Sequence, residues 1–138
     1  MSPIRGFEPN ATTSALGEML GREIIRMENG ESEVQFTIDE RWMNMQGILH
    51  GGAYATMLDT ACGVAARSML DLDVHKGHVT LELKTSYFKG GTPGKYIAKG
   101  KVLRMGKRVS YIEASLFNDA GDLVSRASAT FSLLLRDV

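Results

Sequence analysis

The sequence predicts a single α+β domain, residues 1–138, in which an antiparallel β-sheet wraps around one long central α-helix. The first observation is a helix-like stretch from about residue 52 to 69 that is rich in Ala, Met, Leu and Val. The second is that four strand-like segments follow it, separated by short turns. Strands joined by short turns pair antiparallel, and a helix can cover the apolar face of their sheet. At 138 residues the chain is long enough for one such core and too short for two.

The elements before the long helix are predicted to be a short helix and a hairpin. The apolar spacing within residues 9–20 is typical of a helix, with its cap near Asn10 or Thr12. Residues 21–40 contain two segments separated by Asn29-Gly30, a pair that commonly closes two-residue hairpins. The second of these segments alternates apolar and polar side chains, as expected for a strand with one buried face.

The four segments after the long helix are predicted to form the rest of the sheet. Glycine, proline and aspartate clusters separate them and provide the turn chemistry. Alternation of apolar and polar residues is clearest in the first and third of these segments. The predicted strands are His78–Phe88, Gly94–Met105, Lys107–Asn118 and Leu123–Leu135.

Composition limits the class of function. Lysine plus arginine and aspartate plus glutamate both total 16, so the formal net charge is zero and a nucleic-acid binder with a basic surface is not expected. Cys62 is the single cysteine, which excludes an intramolecular disulfide and a zinc site built from thiolates. No apolar run approaches the ~18 residues of a membrane span, and the N-terminal segment does not resemble a signal peptide. We therefore expect a cytoplasmic protein.

The central helix has two contrasting faces. Helix neighbours lie three and four positions apart, so one broad stripe consists of small residues and a single carboxylate, that of Asp59. The opposite stripe is larger and apolar and is expected to pack on the sheet: Tyr54, Met57, Leu58, Ala61, Val64 and Ala65. Small side chains let a second surface or a ligand approach closely, which predicts a cleft or partner at Asp59. The alternative is a tight core in which Asp59 bonds to a polar neighbour.

The start of this helix is suited to negative charge. His50-Gly51-Gly52 ends a short apolar run, and the backbone N–H groups at a helix N-terminus lack intrahelical acceptors. A carboxylate on the same helix is expected to be partly buried, and it then needs a hydrogen-bonding or charged partner or a functional role. An oxyanion site and a carboxylate base or nucleophile together predict acyl transfer.

The combined pattern Asn44-x5-His50-Gly51-Gly52-x6-Asp59 resembles the hotdog-fold acyl-CoA thioesterases, specifically the phenylacetate-degradation (PaaI-like) branch. The resemblance extends from about residue 15 to residue 135. It implies the hotdog fold and hydrolysis of an acyl-CoA thioester to free acid and CoA. It implies no metal and no cofactor beyond the coenzyme A of the substrate, and a homo-oligomer that is at least a dimer and commonly a tetramer.

The resemblance also assigns roles to five residues. Asp59 matches the general base or nucleophile, and Gly51 the backbone N–H that polarises the thioester carbonyl. His50 and Asn44 match polar groups that hold the loop or the hydrolytic water, while Thr80 falls where a serine or threonine lies near the acyl group. In this family the site forms between two subunits.

Two further groups of residues are candidates for substrate contacts. Arg104, Lys107 and Arg108 form the densest basic cluster and either bind the phosphates of coenzyme A or form a solvated hairpin tip. The acyl group, small aromatic or medium-chain, is expected to contact residues near the motif and at the end of the first strand after the helix: Gly52, Tyr54, Met57 and Phe88.

Other features have plainer interpretations. His75 and His78 are expected in a loop, and two histidines at this spacing are too few for a metal site. Cys62 lies one turn after Asp59, where it is either a nucleophile or a small buried residue, and the second is expected. The rival functions are a hotdog hydratase or dehydratase and a non-catalytic acyl-CoA-binding protein.

Overall fold

The structure, a computed structural model, describes residues 14–137 as two α-helices, one short 3-10 helix at Glu40–Trp42 and six β-strands. In chain order these are α1 (Ala15–Met19), β1 (Glu23–Glu28), β2 (Glu31–Ile38), α2 (Gly51–Arg67), β3 (His75–Tyr87), β4 (Gly94–Met105), β5 (Val109–Asn118) and β6 (Leu123–Leu135). The strands form one sheet in the order β1-β2-β4-β5-β6-β3, and every pairing is antiparallel.

The core lies between α2 and one face of the sheet. The stripe of α2 predicted to face the sheet is buried along its whole length. It packs against inward-facing side chains of the strands, among them Phe36, Ile112, Leu116 and Phe131. The antiparallel sheet wrapped around one long helix, the predicted hotdog fold, is therefore confirmed.

Gly100 of β4 shows how closely α2 and the sheet approach each other. A Cβ atom at this position would lie 2.6 Å from the Ala61 carbonyl oxygen and 2.7 Å from Ser32 Oγ. Ser32 Oγ donates to that carbonyl at 2.7 Å and accepts from the Gly100 N–H at 3.1 Å. Only glycine leaves room for this link, which fixes the middle of α2 against β2 and β4.

The hairpin between β1 and β2 is confirmed in its detail. Asn29 has φ of 51° and Gly30 has φ of 77°, the left-handed conformation that two-residue hairpin turns require at both central positions. The Gly30 N–H donates to Ser68 Oγ at 2.8 Å, which ties the hairpin turn to the end of α2.

Several predicted boundaries differ from the structure. Helix α1 begins at Ala15 with Ser14 as its N-cap, while the predicted caps Asn10 and Thr12 lie outside the described residues. Helix α2 spans Gly51–Arg67, not 52–69, because His50 caps it. Strand β5 begins at Val109 and not at Lys107, which lies in the turn.

The expectation that His75 and His78 lie in a loop was wrong, although the predicted strand bounds His78–Phe88 already included His78. Strand β3 begins at His75, three residues earlier than predicted, because His75 pairs with Leu135 of β6 across a register shift at Gly77. Both His75 and His78 are therefore strand residues with fixed neighbours.

Strand β3 forms one edge of the sheet. Within residues 14–137 it pairs only with β6, so its other side presents unpaired backbone groups along 13 residues. Val79, Leu81 and Tyr87 of this strand are 46 %, 62 % and 50 % exposed. A long edge with exposed apolar side chains is a template for pairing with another chain.

A membrane span is also not found. None of the helices in residues 14–137 combines the length and the apolar composition needed to cross a bilayer.

Candidate active site

Asp59 and Thr80 are brought together by the packing of α2 on β3. Thr80 Oγ1 donates to Asp59 Oδ1 at 2.8 Å, next to a bulge that shifts the register of β3 between Thr80 and Glu82. Asp59 is half-buried, and in the described part of the chain its Oδ2 accepts no hydrogen bond. The carboxylate thus has a polar neighbour, as the alternative interpretation expected, and one oxygen that is available to water or substrate.

The N-terminus of α2 presents one N–H group. His50 is the N-cap residue, and its Nδ1 accepts from the Gly52 N–H at 2.8 Å. In the neutral ring the proton is therefore on Nε2. Within residues 14–137 the Gly51 N–H has no acceptor, whereas the Gly52 N–H is engaged by His50. Gly51 is thus the position at which a carbonyl oxygen could accept a hydrogen bond.

Tyr87 of β3 supports the same turn, although it was not among the predicted site residues. Its hydroxyl donates to the Gly51 carbonyl oxygen at 3.0 Å and accepts from Thr85 Oγ1 at 3.1 Å. A Cβ atom on Gly51 would meet this hydroxyl at 3.4 Å. Tyr87 therefore fixes the first residue of α2 through its carbonyl and leaves its N–H unobstructed.

Asn44 organises the loop before the helix. Its Oδ1 accepts from the backbone N–H groups of Gln46 at 2.9 Å and Ile48 at 3.3 Å, and its own N–H donates to the Ile48 carbonyl at 2.8 Å. Together with His50 and Met45, whose side chain is fully exposed, Asn44 lines an open cleft at this end of the molecule.

The distance along α2 between Gly51 and Asp59 decides how these parts can work. Eight residues separate them, which at ~1.5 Å per residue amounts to about 12 Å. A reacting carbonyl must lie within about 3–3.5 Å of the attacking atom. One chain therefore cannot apply its own Gly51 N–H and its own Asp59 to the same carbonyl group.

The predicted acyl-contact residues are not brought together. Tyr54 and Met57 are 2 % and 0 % exposed and face the sheet, so this chain offers an acyl group no surface at either residue. Tyr54 donates its hydroxyl to the Lys89 carbonyl at 3.0 Å. Phe88 is exposed but lies with Lys84, Ser86 and Arg126 on the outer side of the sheet, away from α2. Gly52 alone is exposed near the motif.

A different cleft opens beside Asp59 and Thr80. It has a volume of about 190 Å³. We call it the arginine cleft, and its other main lining residues are Arg22, Thr60, Gly63, Arg67, His78 and Phe131. Sequence reasoning identified neither arginine, since they lie before β1 and at the end of α2 and meet only in the folded chain.

The arginine cleft holds two cations and a neutral histidine. Arg67 Nε donates to His78 Nε2 at 3.2 Å. Burial, and then the charge of Arg67, lower the pKa of His78 to about 4, so its ring is uncharged at neutral pH. Burial, followed by the nearby charge of Arg22, also lowers the pKa of Arg67. The two guanidinium groups are therefore close enough to affect each other.

The small stripe of α2 is only partly open. Gly63 is one of the small residues of this stripe, and a Cβ atom on it would lie 3.1 Å from His78 Cε1, so the surface that approaches it closely belongs to the same chain. Cys62 and Ala66 are also fully buried. Burial, then the charge of Asp59, raise the pKa of the Cys62 thiol to about 12, which agrees with a buried packing residue. Gly52 and Asp59 remain accessible.

The basic cluster lies on the turn between β4 and β5. Arg104, Lys107 and Arg108 are exposed and make no ion pair with any described residue. His75 fixes this turn, because its Nδ1 accepts from the Asp71 N–H and its Nε2 then donates to the Lys107 carbonyl at 2.8 Å.

The turn and Thr80 lie at the same end of the sheet. Thr80 pairs with Phe131, Phe131 with Ser110 and Ser110 with Met105. Three strand spacings of ~4.8 Å place the basic turn about 14 Å from Thr80. An extended ligand could contact both.

A possible metal site is not present, since residues 14–137 contain no group of three or more His, Cys, Asp or Glu side chains suitably placed.

Comparison with known proteins identifies the family of the chain. A family model described as the thioesterase superfamily matches residues 46–125, which include His50, Gly51, Asp59 and Thr80. SSO1253 of Saccharolobus solfataricus, described as a "Putative esterase", is 31 % identical over 112 residues, or 81 % of this chain and 73 % of that protein. The medium/long-chain acyl-CoA thioesterase YigI of Salmonella typhimurium is 26 % identical, with 81 % of each chain covered. The structure of conserved protein PA5202 from Pseudomonas aeruginosa has a TM-score of 0.82 at 29 % identity, covering 96 % of this chain and 100 % of that one.

Proposed function

Because the chain belongs to the thioesterase superfamily, we propose that it hydrolyses acyl-CoA thioesters to free acid and CoA at a site shared by two copies of the chain. The observation that carries this proposal is the pair of functional groups on α2: an N–H without an acceptor among the described residues and a half-buried carboxylate, separated by about 12 Å. The similarity to an acyl-CoA thioesterase supports the substrate class.

A two-fold dimer can bring together the Gly51 N–H and the Asp59 carboxylate, which lie too far apart within one chain. In an isologous interface each surface meets its own copy, and we propose a two-fold axis perpendicular to α2, which makes the two α2 helices run in opposite directions. Asp59 of one copy can then lie opposite Gly51 of the other, and two equivalent sites form. The exposed edge of β3 is the surface that we assign to this contact, because its backbone groups and apolar side chains lie next to Thr80. Further association of dimers into a tetramer is our expectation for the full assembly.

The chemistry follows from the two groups. Asp59 takes a proton from a water molecule whose oxygen attacks the thioester carbon, and the Gly51 N–H of the other copy stabilises the negative charge on the carbonyl oxygen. The C–S bond then breaks, and the CoA thiolate leaves and is protonated. In the alternative route Asp59 itself attacks, a mixed anhydride forms as CoA leaves, and water hydrolyses it. Oxygen-18 from labelled water found in the Asp59 carboxylate after turnover would identify the anhydride route.

The remaining predicted residues have supporting roles in this proposal. Thr80 orients Asp59, His50 presents the Gly51 turn, and Asn44 holds the preceding loop. Arg104, Lys107 and Arg108 are proposed to contact the phosphates of coenzyme A. The acyl groups are proposed to be small aromatic or medium-chain, and assignment to the phenylacetate-degradation branch stays a prediction.

A hydratase would need a histidine that exchanges protons beside the carboxylate. His78 is the histidine near Asp59, but its Nε2 accepts from Arg67 and its pKa of about 4 makes it a weak base. His50, which would lie opposite Asp59 of the other copy, accepts from the Gly52 N–H at Nδ1 and presents the Gly51 N–H, a donor that suits polarisation of a carbonyl, and this supports hydrolysis. A non-catalytic binding protein is separated from an enzyme by the following experiment.

The test is release of free thiol from phenylacetyl-, benzoyl-, hexanoyl- and palmitoyl-CoA. We expect turnover of at least one substrate, and Asp59→Asn should reduce it by at least about 10³-fold, since the catalytic group is lost. Asp119→Asn, which makes the same change in the exposed β5–β6 turn, is the matched control and should retain activity. Tight binding of acyl-CoA without any thiol release would contradict the proposal and indicate a binding protein.

A further inference from the structure

Strand β3 contacts α2 at both of the groups that the proposed reaction uses. Thr80 Oγ1 donates to Asp59 Oδ1 at 2.8 Å, and seven residues later Tyr87 Oη donates to the Gly51 carbonyl oxygen at 3.0 Å. We propose that Tyr87 is a positioning residue, whose hydroxyl group holds the first residue of α2 in the conformation in which the Gly51 N–H stabilises the oxyanion. This inference rests on the proposed function, because it concerns the N–H that we assign to the thioester carbonyl.

A bulge in β3 brings Thr80 and Tyr87 to the same face of the strand. Successive side chains of a strand alternate between two faces, so residues that are seven apart ordinarily point to opposite faces. Thr80 pairs with Phe131 and Tyr87 with Ser125, which are only six apart on β6, and the register shift between Thr80 and Glu82 accounts for the difference. The bulge therefore turns both side chains towards α2. Without it, one of the two contacts with the helix would be lost.

The hydroxyl group of Tyr87 is held in one direction. A carbonyl oxygen only accepts, so the Tyr87 proton lies towards Gly51, while the Tyr87 oxygen accepts from Thr85 Oγ1 at 3.1 Å. The ring stacks on Tyr54, with a distance of 5.7 Å between ring centroids and an angle of 25° between the ring planes. Tyr54 is itself buried and donates its hydroxyl to the Lys89 carbonyl. Tyr87 is thus fixed at its ring and at its hydroxyl, although it is 50 % exposed.

The start of α2 needs support from outside the helix. Gly51 and Gly52 are its first two residues, and glycine is among the residues that least favour a helix. The Gly51 carbonyl and the Gly52 N–H belong to one peptide group, whose oxygen accepts from Tyr87 and whose N–H donates to His50 Nδ1 at 2.8 Å. His50 is the adjacent cap residue, whereas Tyr87 joins this peptide group to the sheet. A donor that is held in place before the reaction stabilises transition-state charge better than a mobile one.

The experiment is a double-mutant cycle with Tyr87→Phe, which keeps the aromatic ring and removes only the hydroxyl group. We expect Tyr87→Phe to lower kcat for the best acyl-CoA substrate by about three- to tenfold, the effect of one hydrogen bond, with little change in KM. In a Gly51→Pro chain, which lacks the N–H but keeps the carbonyl, the same change should lower the residual kcat by less than about twofold, because the positioned group is absent. Tyr111→Phe, at an exposed position of β5, is the matched control and should leave kcat unchanged.

Hydrogen exchange of the backbone provides a second readout that needs no substrate. In an α-helix the Gly51 carbonyl also accepts from the N–H four residues later, that of Ala55. Tyr87→Phe should increase the exchange rate of the Ala55 N–H by about three- to tenfold, because the first turn opens more often once this hydrogen bond is lost. Exchange in the middle of α2 should not change, and Tyr111→Phe should leave the rate at Ala55 as in the wild type.

The outcomes separate this inference from the proposed function. Hydrolysis by the wild type with an unchanged kcat in Tyr87→Phe would overturn the inference and leave the thioesterase proposal intact. Equal fold reductions by Tyr87→Phe with and without Gly51→Pro would also overturn it, because the hydroxyl group would then act by a route other than the Gly51 N–H. If the wild type hydrolyses no thioester, the thioesterase proposal fails, and hydrogen exchange still tests the hold of Tyr87 on α2. An unchanged rate at Ala55 would overturn that hold, and a faster rate would support it.

Discussion

A proline at position 51 tests the shared site directly, because it deletes one N–H group and little else. Gly51 is the first residue of α2, the position where proline is best tolerated in a helix. His50 has φ of −61° and ψ of 139°, the extended conformation that a residue before proline prefers. A Cβ atom at position 51 would meet its nearest neighbour, Tyr87 Oη, at 3.4 Å, an ordinary contact.

The expected magnitude follows from the loss of one oxyanion donor. Such a loss typically costs ~10²–10³ in kcat, or about 2.7–4 kcal/mol of transition-state stabilisation. Gly51→Pro should therefore reduce thiol release from the best acyl-CoA substrate by about that factor with little change in KM. Gly51→Ala keeps the N–H and meets Tyr87 in the same way, so it is the matched control and should stay within a few-fold of wild type.

Mixed dimers of two inactive variants make the test specific to a site between subunits. A dimer of one Asp59→Asn chain and one Gly51→Pro chain contains one doubly altered site and one intact site. With random pairing about half of the dimers are mixed, so about a quarter of all sites should be active. Co-expression with two affinity tags and purification of the mixed species would raise this to about half.

The result that refutes the reasoning is equally clear. If each chain used its own Gly51 and Asp59, every chain in the mixture would carry a defect and no activity would return. Absence of activity in the purified mixed dimer, when each variant alone forms a dimer of normal mass, would rule out the two-subunit site. Normal activity of Gly51→Pro would rule out Gly51 as the oxyanion donor.

Three further predictions concern packing, pH and cofactor recognition. Gly100→Ala should lower the free energy of unfolding in urea by about 1–3 kcal/mol, because its Cβ would collide with the α2 backbone, whereas Gly90→Ala should be close to neutral. The free energy of unfolding should fall as the pH decreases from about 6.5 towards 4, since the unfolded chain binds a proton at His78 in that range and the folded chain does not. This decrease should be smaller in His78→Gln. Lys107→Met combined with Arg108→Met should raise KM for acyl-CoA several-fold at low salt and leave KM for the corresponding acyl-pantetheine unchanged, because the latter lacks the nucleotide.

Each of these predictions has a contradicting result. Unchanged urea midpoints in Gly100→Ala would mean that α2 and β4 can separate without cost. An acid-stability profile that is identical in wild type and His78→Gln would mean that another group controls the loss. Equal increases in KM for acyl-CoA and acyl-pantetheine would show that Lys107 and Arg108 act through the structure of the turn and not through phosphate binding.

Most of the fold could be predicted because its signals are local. Alternation identifies the strands, Asn29-Gly30 specifies a turn with two left-handed residues, and the apolar stripe of α2 faces the sheet. The start of β3 was misjudged because Gly77 interrupts the alternation, and only pairing with β6 shows that His75 belongs to the strand. Two predictions conflict at Tyr54 and Met57. Their position on the apolar stripe of α2 predicted burial, whereas their proximity to the motif predicted contact with substrate. Both side chains are buried, as the stripe predicted.

The candidate site likewise contains residues that sequence spacing relates and residues that only the fold brings together. His50, Gly51 and Asp59 lie within one segment, so sequence spacing alone relates them, but the same spacing also sets them about 12 Å apart on a rigid helix. The helix that makes the motif easy to find is therefore the reason that one chain cannot complete the proposed site. Arg22 and His78 come from segments far apart in sequence, and only the packing of β1, α2 and β3 brings them to Asp59. One short motif therefore identifies the proposed reacting groups, whereas the arginine cleft beside Asp59 forms only when the chain folds.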